Sequence, residues 1–115
     1  MNRSPLKRRR QSASDVREKF EREYHSDTRR RWVAELPCLV CSMTPCENAH
    51  TRNDGMGRKG DYTTIVPLCG AHHRESHAIG VRSFETKYTR QLVGRTLESW
   101  AETVESAWQL REGNQ

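Results

Sequence analysis

The sequence predicts an α+β domain: a two-strand hairpin followed by a helix, held by a structural metal and flanked by N- and C-terminal helices. Three observations predict it. Cys38-Leu-Val-Cys41 and Cys69-Gly-Ala-His72 are two ligand pairs with the same spacing. Between them lie two strand-prone segments joined by a glycine-rich loop. The chain is also polar for its size: of 115 residues, 33% are hydrophobic, 7% aromatic and 30% charged. So small a domain buries little apolar surface and needs a staple.

Taken in order, residues 1–13 read as disordered, with Pro5, Ser12 and the run Lys7, Arg8, Arg9, Arg10. Residues 15–31 are helix-prone. Ser14 or Asp15 supplies the cap, and Val16, Phe20 and Tyr24 form one thin stripe, so this helix is expected to dock weakly. Trp32, Val33 and Leu36 lead into Pro37, which ends any helix there. Residues 38–46 form a turn-rich knuckle with Cys38, Cys41 and Cys46. Strands are expected at 47–52 and 62–67 around the loop 53–61, with Pro67 tolerated at the strand end. Helices follow at 70–78, from near Ser83, and at 96–111, where Leu97, Trp100, Ala101, Val104, Ala107 and Trp108 make a core-facing stripe. This gives an arm at 1–31, a metal domain at 32–90 and a C-terminal helix at 91–115.

Charge is unevenly spread. Residues 1–31 hold 11 Lys or Arg against 5 Asp or Glu, a net of +6, whereas residues 32–115 carry a net of −1. A basic arm of this kind suits a polyanion such as nucleic acid, or is a solvated tail. No apolar run approaches the roughly 18 residues of a membrane span, and the N-terminus lacks the apolar stretch of a signal peptide. The expected location is therefore the cytoplasm, with no membrane partner. In a reducing compartment cysteines serve as metal ligands rather than disulfides.

Cys38, Cys41, Cys69 and His72 match a structural zinc set of three thiolates and one imidazole. Cys46 is a spare thiol, either a small buried side chain or a ligand that swaps in. His73 and His77 stand four apart, on one helix face, a common arrangement for a divalent metal. His72 points about 100° away from His73 around the helix, so the two serve different sites. His50 lies on the first strand. If the hairpin packs over the 70–78 helix, His50 faces His73 and His77 across a cleft and can take a proton from water near neutral pH.

The order Cys-x-x-Cys, Asn48-Ala49-His50-Thr51-Arg52, glycine-rich loop, Asp61 to Cys69, then His72-His73-Arg74-Glu75-Ser76-His77 resembles the HNH endonuclease superfamily. It is most similar to small phage and prophage members, including recombination-enhancing nucleases. The resemblance covers about residues 38–88. It implies a ββα-metal, treble-clef-like core with structural zinc, and hydrolysis of phosphodiester bonds in DNA with little sequence specificity. RNA stays open as a substrate. It assigns His50 as general base, and His73 and His77, with Asp61 as a further candidate, as ligands of a catalytic divalent ion (Mg2+, Mn2+, Ni2+ or Zn2+). The products implied are 5′-phosphate and 3′-hydroxyl ends. Arg52, Arg58 and Lys59, with Lys7, Arg8, Arg9 and Arg10, are the expected phosphate contacts. Phage or host recombination, replication or packaging proteins are the implied partners. Two positions depart from the family: Ala49 stands where a further metal ligand is common, and Thr64 falls near the usual Asn. Those departures favour the rival reading, a non-catalytic zinc-finger module that binds nucleic acid or a replication partner. A third reading is an interaction protein acting through its Trp-bearing C-terminal helix.

Overall fold

The computed structural model describes residues 12–53 and 59–113. The expectations for residues 1–11, including Lys7 to Arg10, and for Arg58 lie outside the described residues.

Two helices precede the hairpin. In α1 (Ala13–Tyr24) the Ser12 side chain accepts the Asp15 N–H at 3.0 Å, while the Asp15 carboxylate accepts the Ser12 N–H at 3.2 Å. This reciprocal capping box satisfies two orphan donors at once, which is why Ser12 rather than Ser14 or Asp15 opens the helix. The expected single helix over 15–31 is in fact two. At His25 φ turns to 72°, and the Ser26 side chain accepts the Arg29 N–H at 3.1 Å to start α2 (Asp27–Glu35). Leu36 caps α2 just before Pro37.

The sheet is a single antiparallel pair, β1 (Glu47–His50) on β2 (Ile65–Leu68), in the register Glu47↔Leu68, Asn48↔Pro67, Ala49↔Val66 and His50↔Ile65. The expected second strand begins late. Asp61 caps a 3₁₀ turn at Tyr62–Thr64 by accepting the Thr63 N–H at 3.0 Å, and the Thr64 hydroxyl donates to the Asp61 carbonyl at 2.7 Å. Gly60 sits under that turn. A Cβ there would fall 2.6 Å from Thr64 Oγ1 and 2.7 Å from the Arg52 carbonyl, so only glycine permits the approach. Three helices follow: α3 (Gly70–Ile79), α4 (Val81–Lys87) and α5 (Leu97–Gly113). Gly80, at φ 89°, separates the first two.

Strand alternation divides the interior. Ala49, Val66 and Leu68 join Cys38, Phe84, Leu92, Leu97 and Ala101 in one apolar cluster. Ile65 joins Val33 and Val104 in another, flanked by Tyr24, Trp32, Leu36 and Tyr62. The hairpin is thus covered on both faces, which explains a strand as apolar as Ile-Val-Pro-Leu. Of the expected α5 stripe, Leu97, Ala101, Val104 and Trp108 are buried, Trp100 is half-buried and Ala107 is exposed.

The described part of the basic arm is built into this fold, and a boundary at residue 31 runs through α2. Arg29 is fully buried. Its Nη2 donates to Glu105 of α5 at 3.0 Å, and its guanidinium lies over the Tyr62 ring at 5.2 Å. Its Nε and Nη1 have no hydrogen-bond partner, so the ring faces and Glu105 carry the burden of holding a buried cation. Removing Glu105 strands that charge. Glu105→Ala is expected to destabilise the domain by about 2 kcal/mol, less than for a fully buried pair because Glu105 keeps some water contact. Arg29→Met combined with Glu105→Leu should recover most of the loss. Urea denaturation checks both, and an unchanged midpoint for Glu105→Ala would contradict the account.

Candidate functional site

The knuckle after α2 is tied by its own backbone: Cys38 N–H donates to the Met43 carbonyl at 3.0 Å and Ser42 N–H to the Cys38 carbonyl at 2.9 Å. Leu39 N–H donates to the Pro67 carbonyl at 3.2 Å, fastening the knuckle to β2. Cys69 follows β2 directly and caps α3, so His72 rises one turn above it. These constraints bring four ligand atoms from Cys38, Cys41, Cys69 and His72 within 4.8 Å of one another. Among the described residues this is the one group of three or more His, Cys, Asp or Glu donors that converges.

The group can hold a metal ion such as zinc. Cys41 Sγ and Cys69 Sγ are 3.8 Å apart, and His72 Nδ1 is 3.2 Å from Cys69 Sγ and 3.7 Å from Cys38 Sγ. A tetrahedron with zinc–sulfur bonds of about 2.3 Å has sulfurs about 3.8 Å apart, so the edges fit. The electrostatics fit too. Burial pushes the Cys38 thiol up, but the backbone groups of Cys69, Cys41 and Val40 outweigh it and bring its pKa to about 6. A thiolate ready at neutral pH is what a metal needs. Cys46 is different: its thiol donates to the Met43 carbonyl at 3.3 Å, and burial together with the neighbouring Cys38 pushes its pKa up to about 11. It stays out of the converging group, as a small buried side chain. His72 meets the Tyr88 ring edge-on, and the Tyr88 hydroxyl donates to Glu75, which also pairs with Lys87.

On the same helix His73 and His77 turn toward each other, with Nε2 atoms 3.2 Å apart. Two imidazole nitrogens bound to one ion at about 2.1 Å lie roughly 3.0–3.4 Å apart, so the pair is spaced for a shared ion. His73 Nδ1 is 2.7 Å from Glu47 Oε1 of β1. That contact puts the His73 proton on Nδ1 and leaves the Nε2 lone pair facing His77, the way a carboxylate orients a ligating histidine. Sequence reasoning missed Glu47. The signal was strand alternation, since residues 47 and 49 share the face that packs on α3.

The same alternation separates His50 from the pair. His50 does not face His73 and His77 across a cleft; with Asn48 it takes the other face of β1, against α1 and α2. His50 Nε2 lies 2.8 Å from the Glu23 carbonyl at the end of α1, and the Tyr24 ring meets the imidazole edge-on. Burial lowers the His50 pKa, and nearby Lys59 adds to that, against the opposing pull of the Glu23 carbonyl. His50 is therefore neutral at neutral pH. With its proton on Nε2 it keeps an Nδ1 lone pair. Asp61, expected as a further ligand, spends its carboxylate on the Tyr62–Thr64 turn, and no contact among the described residues brings it to His73 or His77. Thr64 likewise gives its hydroxyl to the Asp61 carbonyl and not to His50. Ala49 is buried and offers no ligand. Of the expected phosphate contacts, Lys59 is exposed and donates to the Tyr24 hydroxyl at 3.2 Å, while Arg52 is 3.7 Å from Glu98 of α5.

The sequence profile of the family described as "Protein of unknown function (DUF968)" matches residues 9–110. The chain belongs to this family. It is also similar to "Uncharacterized protein YdfU" of Escherichia coli (strain K12), at 41% identity over 66 residues. That match covers 54% of this chain and 18% of the relative, so it spans less than a fifth of the relative's length. No solved structure matches the chain. The family span takes in α1 and α2 as well as the metal ligands, consistent with one unit that includes the N-terminal helices.

Two outcomes are expected for the metal group. Cys69→Ser should lose the bound ion and unfold the domain, because a structural metal contributes directly to folding in so small a core. Cys46→Ser should keep the ion of the Cys38, Cys41, Cys69 and His72 group and a near-native melting temperature. Metal analysis with thermal melts checks both; a Cys69→Ser protein that stays folded and keeps its ion would show that the ligand set is wrong.

Proposed function

We propose that the chain is a metal-dependent endonuclease of the HNH kind, built on a ββα-metal core with structural zinc, that hydrolyses phosphodiester bonds in DNA. The observation that carries the reading is the His73–His77 pair, spaced for one ion and oriented by Glu47, beside a separate group fit for a structural metal. A finger that only binds nucleic acid needs just one such group. An ion held by His73 and His77 supplies Lewis-acid stabilisation of charge developing on the phosphate.

The chain's own groups supply the rest. His50, neutral and tied through Nε2 to the Glu23 carbonyl, offers Nδ1 to remove a proton from the attacking water. His50 and Glu47 take opposite faces and opposite ends of β1, so this reading requires the bound DNA strand to reach from one to the other. Lys59 stands near His50 and can steady the phosphodiester. Basic residues Arg3, Lys7, Arg8, Arg9 and Arg10 add affinity without reading sequence.

A second reading, a non-catalytic zinc module, has one observation in its favour: the His50 ring is turned to α1, away from the histidine pair. Plasmid nicking with Mg2+, Mn2+ or Ni2+ separates the two. His50→Ala and His77→Ala should each stay folded and nick at least about 100-fold more slowly than wild type. Near wild-type nicking by His50→Ala would remove it as the base, and no nicking by the wild type with any of the ions would favour the zinc module.

The pH dependence follows from the lowered pKa of His50. A base works deprotonated, so the single-turnover rate should climb with pH and level off below pH 7. A rate governed by a group titrating above pH 7 would contradict the assignment. Deleting residues 1–11, which hold five Lys or Arg and no acidic residue, should weaken DNA binding and flatten its dependence on salt by roughly one unit per lost phosphate contact. Equal slopes would reject the segment as a DNA contact.

A further inference from the structure

Along β2 the ends of three elements leave a gap. α2 stops at Leu36 before Pro37, the knuckle turns back at Leu39, and β2 carries Pro67 where its neighbours carry backbone donors. α5 passes beside them with Trp100, Thr103, Val104 and Ala107. The result is an apolar groove of about 200 Å3, with Trp32 at one end and Trp100 at the other. It is smaller than a site for a drug-sized molecule and suits a few side chains of a linear segment.

Thr103 is the groove's one polar side chain, and its hydroxyl is already taken by Arg95 Nη2 at 2.6 Å. Its mostly apolar lining offers the hydrogen-bonding edge of a nucleobase few partners. The rim is cationic. Arg95 lies 4.0 Å over the Trp100 ring and is held there by Ser99 and Thr103 and not by a carboxylate. Beyond Trp32, Arg31 and Arg111 share a shallow pocket with Glu35, and Arg111 rests on the Trp108 ring. The chain's own residues 1–11 have the wrong charge to fill this groove, with five basic residues and no acidic one.

We propose that this Trp32–Trp100 groove docks a short acidic peptide of a partner protein, its apolar side chains between the tryptophans and its carboxylates on Arg95 and Arg111. Arg31 is paired with Asp27, and Glu35 stands beside Arg111. The clearest complement to such a peptide is therefore Arg95, which has no carboxylate partner among the described residues. Tryptophan and arginine are the side chains that most often anchor such contacts. None of the groove's lining residues belongs to α3 or β1, so the peptide and a nucleic acid at the histidine pair contact different residues. Docking in the groove is independent of nuclease activity.

Fluorescence anisotropy with the full chain tests it. The probe is fluorescein-labelled Glu-Asp-Phe-Pro-Leu-Asp-Glu, compared with a lysine-flanked version of the same core, an acidic peptide with a Ser-Gly-Ser core, and oligothymidylate. Saturable binding of the first probe, at least tenfold tighter than the lysine and Ser-Gly-Ser peptides, is expected. Ala107→Gln fills the groove from an exposed helix position without touching the core, and Arg111→Glu reverses the rim charge. Each should weaken peptide binding at least tenfold while the domain stays folded and DNA binding changes far less. Wild-type affinity in both variants would overturn the proposal. So would tighter binding of the lysine peptide, oligothymidylate binding that Ala107→Gln abolishes, or a dimer that Ala107→Gln dissolves, which would make the occupant a second copy.

Discussion

The convergence of Cys38, Cys41, Cys69 and His72 is the constraint on which the rest of the structure depends. The four come from three places: the knuckle after α2, the residue that ends β2, and the first turn of α3. Holding them together fixes the knuckle against the strand end and fixes the angle at which α3 leaves the hairpin. The apolar cluster around Ala49, Val66, Leu68 and Phe84 then closes on a frame already set. A chain that is 30% charged has little else to order it, which is why the thiolates sit where backbone groups can pull Cys38 down to a pKa of about 6.

From that frame the placement of the His73–His77 pair, the proposed second site, follows by geometry. Once His72 is committed to the thiolates, the helix rotates His73 about 100° away, and His77 lies one turn further along the same face. β1, paired to β2, presents Glu47 on that side and His50 on the other. The imidazole pair and the strand carboxylate meet because the metal group holds α3 against β1. His50 instead meets α1, whose Glu23 carbonyl accepts the hydrogen bond from its Nε2. The N-terminal helices therefore set the position of the His50 ring, and α2 is pinned through buried Arg29 to α5.

The metal group was legible in the sequence because two equal ligand spacings, separated by a hairpin-sized gap, rarely arise except around one ion. The α5 stripe and the i, i+4 histidines were legible from periodicity. Other features left weaker traces. Glu47 needed strand alternation to be carried one step further, to ask which face each residue of 47–50 takes. The break at His25 depends on Ser26 restarting a helix, a cap hidden inside an unbroken helix-prone run. Arg29 reads as one more cation among Arg29, Arg30 and Arg31, and only its neighbours Tyr62, Trp108 and Glu105 make it a core residue. The contact that orients His50 is a backbone carbonyl 27 residues away, and a carbonyl has no sequence signature.

We propose that α3 serves two distinct metal sites, one thiolate-rich and one built from imidazoles. Stepwise loading of the metal-free chain, read by X-ray absorption, tests it most directly. The account predicts that a first equivalent of Zn2+ shows three sulfurs at about 2.3 Å and one nitrogen at about 2.0 Å. A second equivalent, of Co2+ or Mn2+, should bind with nitrogen and oxygen neighbours only, and should be lost in His77→Ala while the first remains. Binding that stops at one equivalent in the wild type, or a second ion coordinated by sulfur, would contradict it.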